Sequence, residues 1–307
     1  MEDGLYGREK KTGNSAVGGK VALRSTLLNA MSVDVEDHFQ TELMSRVVSR
    51  ANWKDLPCRV EKNTRYLYRL FERHGIRATF FFLGWVAEQY PSLVREAAKL
   101  GHEVACHSYW HRQVYAISPN EFREDTKRAK GNIEDAAGVG VFGYRAPSFS
   151  MTPGTEWATE ILGELGFLYD SSVHPIRHDL YNNPNASREP YRVGSTGLLE
   201  IPISTIRLGS HNYPFSGGGY FRLLPYPIVR WAIERLNRKE AKSVVFYIHP
   251  WELDDDPPRL TLDRKTNFRQ YIRIGSTDHA LNHLLSDFQF ASISQVFGRN
   301  IFRGANV

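Results

Sequence analysis

The sequence predicts an α/β fold with a parallel sheet, on three observations. Short apolar runs of strand length alternate with helix-length amphipathic stretches, the signature of repeated strand–helix units. Start and stop signals bracket the helical stretches, with prolines at first positions and glycines just past the ends. Polar clusters follow several apolar runs directly, where α/β enzymes place catalytic groups. At this number of units the chain forms a barrel or a doubly wound sheet, and either would carry its site at the C-terminal ends of the strands.

The elements follow in order. Leu28 to Val35 reads as the first strand, and residues 61–73 as a helix with Leu67, Leu70 and Phe71 on one face and Gly75 beyond its end. Ala78 to Leu83 is a strongly apolar strand. Pro91 opens a helix that ends before Gly101, and His102 to Cys106 is the next strand. Residues 119–137 form a helix capped by Ser118 with Pro119 in its first turn. Val141 to Tyr144 is a short strand, Thr155 to Leu165 a helix stopped by Gly166. Further strands are expected at Leu199 to Ile203, Ser243 to Ile248 and Phe288 to Ile293, and further helices over 226–237 and 277–287. Residues 174–222 are rich in Pro, Asn, Gly and Tyr and read as a long loop insertion, with Ser216 to Tyr220 a loop.

The chain has 307 residues, 41% hydrophobic and 24% charged, which suits one globular domain over residues 26–300. The net charge of +5 is scattered without a dense basic stretch, so nucleic acid is not an expected partner. Cys58 and Cys106 form neither a disulfide framework nor a Cys-x-x-Cys metal motif, and Cys106 reads as a buried thiol. Residues 1–25 read as a disordered tail. No apolar stretch of membrane-spanning length and no signal-peptide core is present, and a cytoplasmic location is the expectation.

Four clusters carry candidate chemistry. Asp34-Val35-Glu36-Asp37-His38 groups three carboxylates at the end of a strand; they repel one another unless a cation or shared proton compensates, as a divalent metal would, and a solvated acidic turn is the alternative. His107 and His111 have the spacing that places two imidazoles on one face of a helical turn, suited to metal capture; with a carboxylate they would make a two-His-one-carboxylate site. Arg145, straight after a short strand and stiffened by Pro147, can hold a catalytic carboxylate. His249 ends an apolar strand and is placed for general acid work, with Asp170 the expected carboxylate partner that fixes its tautomer.

These clusters, in this order, resemble the polysaccharide deacetylases of carbohydrate esterase family four, and most closely a subgroup associated with exosortase-type exopolysaccharide loci. The matching stretches are Asp34 to Gln40, His107-Ser108 with His111, Tyr144 to Ser150, Tyr169 to Ser172, Phe215 to Arg222 and Phe246 to Glu252, spread over residues 28 to 297. The resemblance implies a deformed (β/α) barrel, a divalent metal (zinc, or cobalt or another divalent ion) and an N-acetylated polysaccharide as substrate. It implies Asp34 as general base, positioned by Arg145, and His107 and His111 as metal ligands with Asp37 or Glu36 as third. It further implies a backbone N–H after Pro147 as oxyanion donor and His249, oriented by Asp170, as acid. Asp34 and the second aspartate are separated here by Val35 and Glu36: an extended backbone would send Glu36 to the side of Asp34, a tight turn would bring in Asp37, and Asp37 is slightly favoured. The tryptophan usual after the Asp170 motif is replaced by Val173-His174-Pro175, with Trp110 or Trp251 as substitutes. Two other functions compete: hydrolysis of small cyclic or linear amides on the same fold, and non-catalytic glycan binding.

Overall fold

The computed structural model describes residues 27–303, and the tail expected at residues 1–25 lies outside the described residues. β1 (Asn29–Val35) leads to α1 (Val60–Arg73), then β2 (Thr79–Phe82), α2 (Gly84–Gln89), α3 (Pro91–Lys99), β3 (Glu103–Cys106), α4 (Pro119–Ala137), β4 (Gly143–Tyr144), α5 (Trp157–Glu164) and β5 (Tyr169–Asp170). The second half holds β6 (Tyr191–Val193), β7 (Leu198–Glu200), β8 (Thr205–Leu208), β9 (His211–Pro214), α6 (Gly218–Leu223), α7 (Tyr226–Lys239), β10 (Val245–Ile248), α8 (Arg264–Tyr271), α9 (Thr277–Asp287), β11 (Phe290–Ala291) and α10 (Ile293–Ile301). Ser118 caps α4 as its sequence predicts: its hydroxyl accepts the Glu121 N–H at 3.3 Å while Glu121 accepts the Ser118 N–H at 2.9 Å.

The main sheet runs β10-β1-β2-β3-β4-β5-β7-β6, with β11 beside the start of β1. Every pair in it is parallel except β6–β7. The far edge of β10 meets irregular backbone instead of a strand: Ser204 donates to Val245 O at 3.4 Å and Tyr247 to Ser216 O at 3.0 Å. This irregular closure is the deformed (β/α) barrel.

Strand periodicity divides the apolar side chains into two layers. Met31, Val33, Val35, Phe80, Phe82, Val104, Phe246 and Ile248 face outward and pack with helix residues such as Leu67, Phe71, Leu93 and Ile133. Ala30, Phe81, Ala105, Tyr169, Leu199, Val245 and Tyr247 fill the interior. Burial on both faces is why the strands read as continuous apolar runs. Tyr169 crosses the interior to donate to Glu103 Oε1 at 2.9 Å, and β4 must carry Gly143 opposite it, because a Cβ there would lie 2.2 Å from the Tyr169 ring.

Residues 174–222 are not the loop expected. They supply β6 and β7 to the main sheet and fold β8–β9 into a separate hairpin. The Ser216–Tyr220 segment, expected to be loop throughout, enters α6 at Gly218. Its glycines serve close approach: Gly217 has φ 137°, and a Cβ there would sit 1.9 Å from Tyr247 O. The strand expected over Phe288 to Ile293 ends at Ala291, because Ser292 and Gln295 cap each other's backbone and start α10. α8 escapes a pattern-based reading because RKTNFRQY carries almost no apolar periodicity. Among the described residues no helix is long and apolar enough to cross a membrane.

Two glycine substitutions test this account in opposite directions. Gly217→Ala is expected to destabilise the protein by about 1–3 kcal/mol through overpacking and positive φ. Gly131→Ala, within α4 and facing open space, is expected to stabilise it by about 0.5–1 kcal/mol. Denaturant midpoints read both.

Candidate active site

Parallel pairing brings the C-terminal ends of β1, β3, β4 and β10 to one rim. Asp34, Glu36, His107, Arg145 and His249 all stand there. The side chains of Asp34 and Glu36 both line the cavity, with the Glu36 N–H donating to Asp34 O at 3.1 Å where the strand ends.

Asp34 is fixed by Arg145, whose Nη1 donates to its Oδ1 at 2.7 Å. Arg145 is wholly buried. Its remaining bonds go to Ser32 Oγ (2.8 Å), Ser171 O (3.0 Å) and Ser171 Oγ (3.0 Å), and the guanidinium lies 4.2 Å over the Phe81 ring. With these bonds in place it has one orientation, and it leaves Oδ2 of Asp34 toward the cavity.

Glu36, His107 and His111 form a buried triad whose ligand-type atoms all lie within 4.8 Å of one another. His111 Nε2 is 2.7 Å from Glu36 Oε2. His107 Nδ1 donates to Arg145 O at 2.8 Å, which leaves its Nε2 lone pair for the centre. Burial holds His107 down to about 4, against the raising influence of Asp34 and Glu36. Burial would raise Glu36, but His111, His249 and His107 pull it to about 2. At neutral pH this gives a neutral imidazole and a carboxylate, the states metal ligation requires. Nδ1 of His111 is buried without a hydrogen-bond partner. Two imidazoles and one carboxylate fit a divalent ion of the zinc or cobalt type.

Three expectations are corrected here. The histidine pair does not sit on a helical turn: residues 107–111 form an irregular loop with left-handed Ser108 (φ 62°) and His111 (φ 51°), held by Tyr109 N–H to Asp125 Oδ2 at 2.7 Å and by Arg50 to Trp110 O at 2.7 Å. Asp37, slightly favoured over Glu36 as the third ligand, is outside the triad. Its carboxylate accepts the backbone N–H of Arg59 and, at 2.8 Å, of Val60, and pairs with His38 Nδ1 at 2.6 Å. It serves the otherwise unsatisfied N-terminus of α1. Asp170 does not reach His249. Because Tyr169 points into the barrel, Asp170 points out, where it meets Glu200 across β5–β7. Burial pushes Asp170 up to about 6, and burial with Asp170 pushes Glu200 up as well. Ser172 donates to Asp170 and accepts the Ala146 N–H at 2.7 Å, so this pair anchors the loop after Arg145.

The carboxylate beside His249 is Glu252, with Nδ1 of the histidine 3.1 Å from Oε2. Arg222 Nε in turn donates to Glu252 Oε1 at 2.8 Å. Both residues ended motifs quoted above without a role, and the His249-x-x-Glu252 spacing was their only signal. Nε2 of His249 lies 3.9 Å from Asp34 Oδ2 and 3.8 Å from Glu36 Oε1. Burial would depress its pKa, but Glu252, Glu36 and Asp34 overcome that and raise it to about 9. Trp251, not Trp110, supplies the apolar wall: it stacks on His249 at 5.4 Å, whereas Trp110 packs on Trp53. These groups floor a cavity of about 540 Å³ that also exposes Ser148, Phe149 and Tyr220.

Residues 51–167 match the polysaccharide deacetylase family model. The match contains His107, His111 and Arg145, while Asp34 and Glu36 precede it. Residues 171–298, with His249, match a domain of unknown function (DUF3473). The chain is 32% identical over 89 residues to a bifunctional xylanase/deacetylase of Pseudobutyrivibrio xylanivorans, covering 29% of this chain and 15% of the relative. It is 31% identical over 96 residues to a peptidoglycan-N-acetylglucosamine deacetylase of Bacillus cereus, covering 29% and 33%. To a peptidoglycan deacetylase of Helicobacter pylori it is 29% identical over 107 residues, covering 35% and 36%. The chain thus spans about a third or less of these relatives. In fold it is similar to the crystal structure of a candidate polysaccharide deacetylase from Mycobacterium smegmatis, with a TM-score of 0.59, 22% identity and 91% of each chain covered.

The division of labour between the neighbouring carboxylates is testable. Glu36→Ala is expected to abolish retention of a stoichiometric divalent ion, read by elemental analysis after desalting. Asp37→Ala is expected to keep the ion and instead lose about 1–3 kcal/mol of stability, because buried helix N–H groups lose their acceptor.

Proposed function

We propose that this chain is a metal-dependent hydrolase that removes N-acetyl groups from a bacterial exopolysaccharide or its precursor. The observation that carries the reading is the meeting of Asp34 and His249 beside the Glu36–His107–His111 triad: a carboxylate held by Arg145 and an imidazole paired with Glu252, about 4 Å apart over one cavity. The named activities of the relatives support an N-acetylated glycan as the substrate class.

Glu36, His107 and His111 would hold the ion, which when bound supplies Lewis-acid stabilisation of the charge developing on the acetamide oxygen. Asp34, with Oδ1 tied to Arg145, takes the proton of the attacking water on Oδ2. The turn after Pro147, with Ser148 and Phe149 both at positive φ (53° and 51°), lines the cavity; the Phe149 N–H is taken by Ala146 O at 3.1 Å, which leaves the Ser148 N–H as the oxyanion donor. His249 delivers a proton from Nε2 to the departing amine, without which an amide does not cleave. Glu252, with Oε2 3.1 Å from Nδ1, pairs with the charged imidazole and keeps the acid form populated at neutral pH.

Acetate release from N-acetylhexosamine oligosaccharides tests the reading, with protein stripped by a chelator and refilled with zinc or cobalt. Activity is expected to vanish and return. Asp34→Asn is expected to lower kcat by about 10²–10⁴-fold while the ion stays bound; unchanged turnover would remove Asp34 from the role of base. The acid form of His249 is lost as pH rises through its raised pKa, so it sets the alkaline limb of kcat/KM. Glu252→Gln withdraws the strongest raising influence, and the limb is expected to move to lower pH; an unmoved limb would assign the acid elsewhere.

A further inference from the structure

The cavity over the Asp34–His249 centre changes character from floor to mouth. The floor is ionised and hydrogen-bonding, whereas the mouth carries the apolar side chains of Leu43, Leu180, Leu223, Phe268 and Ile272, with Glu42, Lys265 and Arg269 among them. They come from four separate segments: the turn after β1, the strand-poor stretch after β5, the end of α6, and α8 with the residue that follows it. Leu223 is 49% exposed and Phe268 58% exposed. Large apolar side chains gathered at an open mouth from four segments mark a binding surface more than a packing accident. These five side chains offer no donor or acceptor to a sugar hydroxyl, and a hydrocarbon chain gains most from covering them. α8 adds charge to the same mouth. Arg269 is paired with Asp179 at 2.8 Å, but Lys265, three residues before Phe268, has no ion-pair partner among the described residues.

We infer that the substrate is an amphiphile: an N-acetylated sugar carrying an apolar chain that lies along Leu43, Leu180, Leu223, Phe268 and Ile272, joined through an anionic linkage that faces Lys265. This rests on the deacetylase reading for the sugar end. It adds that the cavity selects a chain-bearing precursor over the bare polymer, because the apolar mouth contributes binding only when such a chain is present.

Binding can be measured without turnover. Titration calorimetry of alkyl β-glucosides, from methyl to octyl and kept below their micelle concentrations, probes the mouth with ligands that have no acetamide to cleave. Affinity is expected to rise with chain length, by up to about fourfold per methylene. Alkyl phosphates of the same lengths are expected to bind tighter than the glucosides, with an advantage that salt erodes and Lys265→Ala removes. Leu223→Ser and Phe268→Ser, at exposed positions, are expected to flatten the chain-length dependence. A flat series in the unmodified protein overturns the inference, and alkyl phosphates binding no tighter than glucosides overturn the anionic linkage. Acetate release reports separately: a steep chain-length series with no acetate from any N-acetyl glycoside would keep the apolar mouth and overturn the deacetylase reading, while acetate release with a flat series would do the reverse.

Discussion

The bond between Arg145 and Asp34 constrains more of this molecule than any other single contact. In the sheet order β2 and β3 lie between β1 and β4, so a flat sheet would hold the two residues roughly 14 Å apart at ordinary strand spacing. The two side chains close that gap to 2.7 Å, helped by the curl of the sheet toward a shared interior. Arg145 also takes Ser32 from β1 and Ser171 from beyond β5, and it covers the Phe81 ring from β2, so one guanidinium gathers four segments. A buried charge of this kind is stable only while every partner is present; stripping one away costs about 3–5 kcal/mol. Curvature, closure and the position of the carboxylate that faces the cavity therefore depend on one another.

The same requirement assigns the other acids. A carboxylate buried near this rim must be neutralised or hydrogen-bonded. Glu36 meets the condition with histidines, Glu252 with Arg222 and His249, and Asp37 with helix amides and His38. Asp170 and Glu200 have no cation in contact and are pushed toward their protonated forms instead. Five acids of one chemical type thus divide into a triad member, the partner of His249, a helix cap and a proton-holding pair, and only their surroundings distinguish them.

Two histidines illustrate the electrostatic side. His107 is buried in the rim and His249 half-buried, yet one is held down to about 4 and the other raised to about 9. Burial lowers both. His249 has Glu252 at 3.1 Å with Glu36 and Asp34 just beyond, and that negative field reverses the sign. His107 faces the same acids but gives its Nδ1 to a neutral carbonyl and sits beside His111. One pocket therefore keeps a neutral imidazole fit to ligate and a charged one fit to donate.

The sequence by itself determined the alternation of strands and helices, the placement of polar clusters at strand ends, and the pairing of Arg145 with a carboxylate. Each of these is written in local periodicity or in a residue type whose chemistry allows few uses. It also put His107 and His249 at the ends of strands, where the structure has them on the rim. The tertiary structure decided what local pattern could not: that Glu36 and not Asp37 joins the histidines, that Glu252 and not Asp170 holds His249, and that residues 174–222 are folded. The choice between Glu36 and Asp37 was settled by the N-terminus of α1, over twenty residues away, whose amides take the Asp37 carboxylate. The fate of Asp170 followed from the inward turn of Tyr169, which Gly143 on another strand makes room for. Both depend on partners remote in the chain, and no local spacing encodes them.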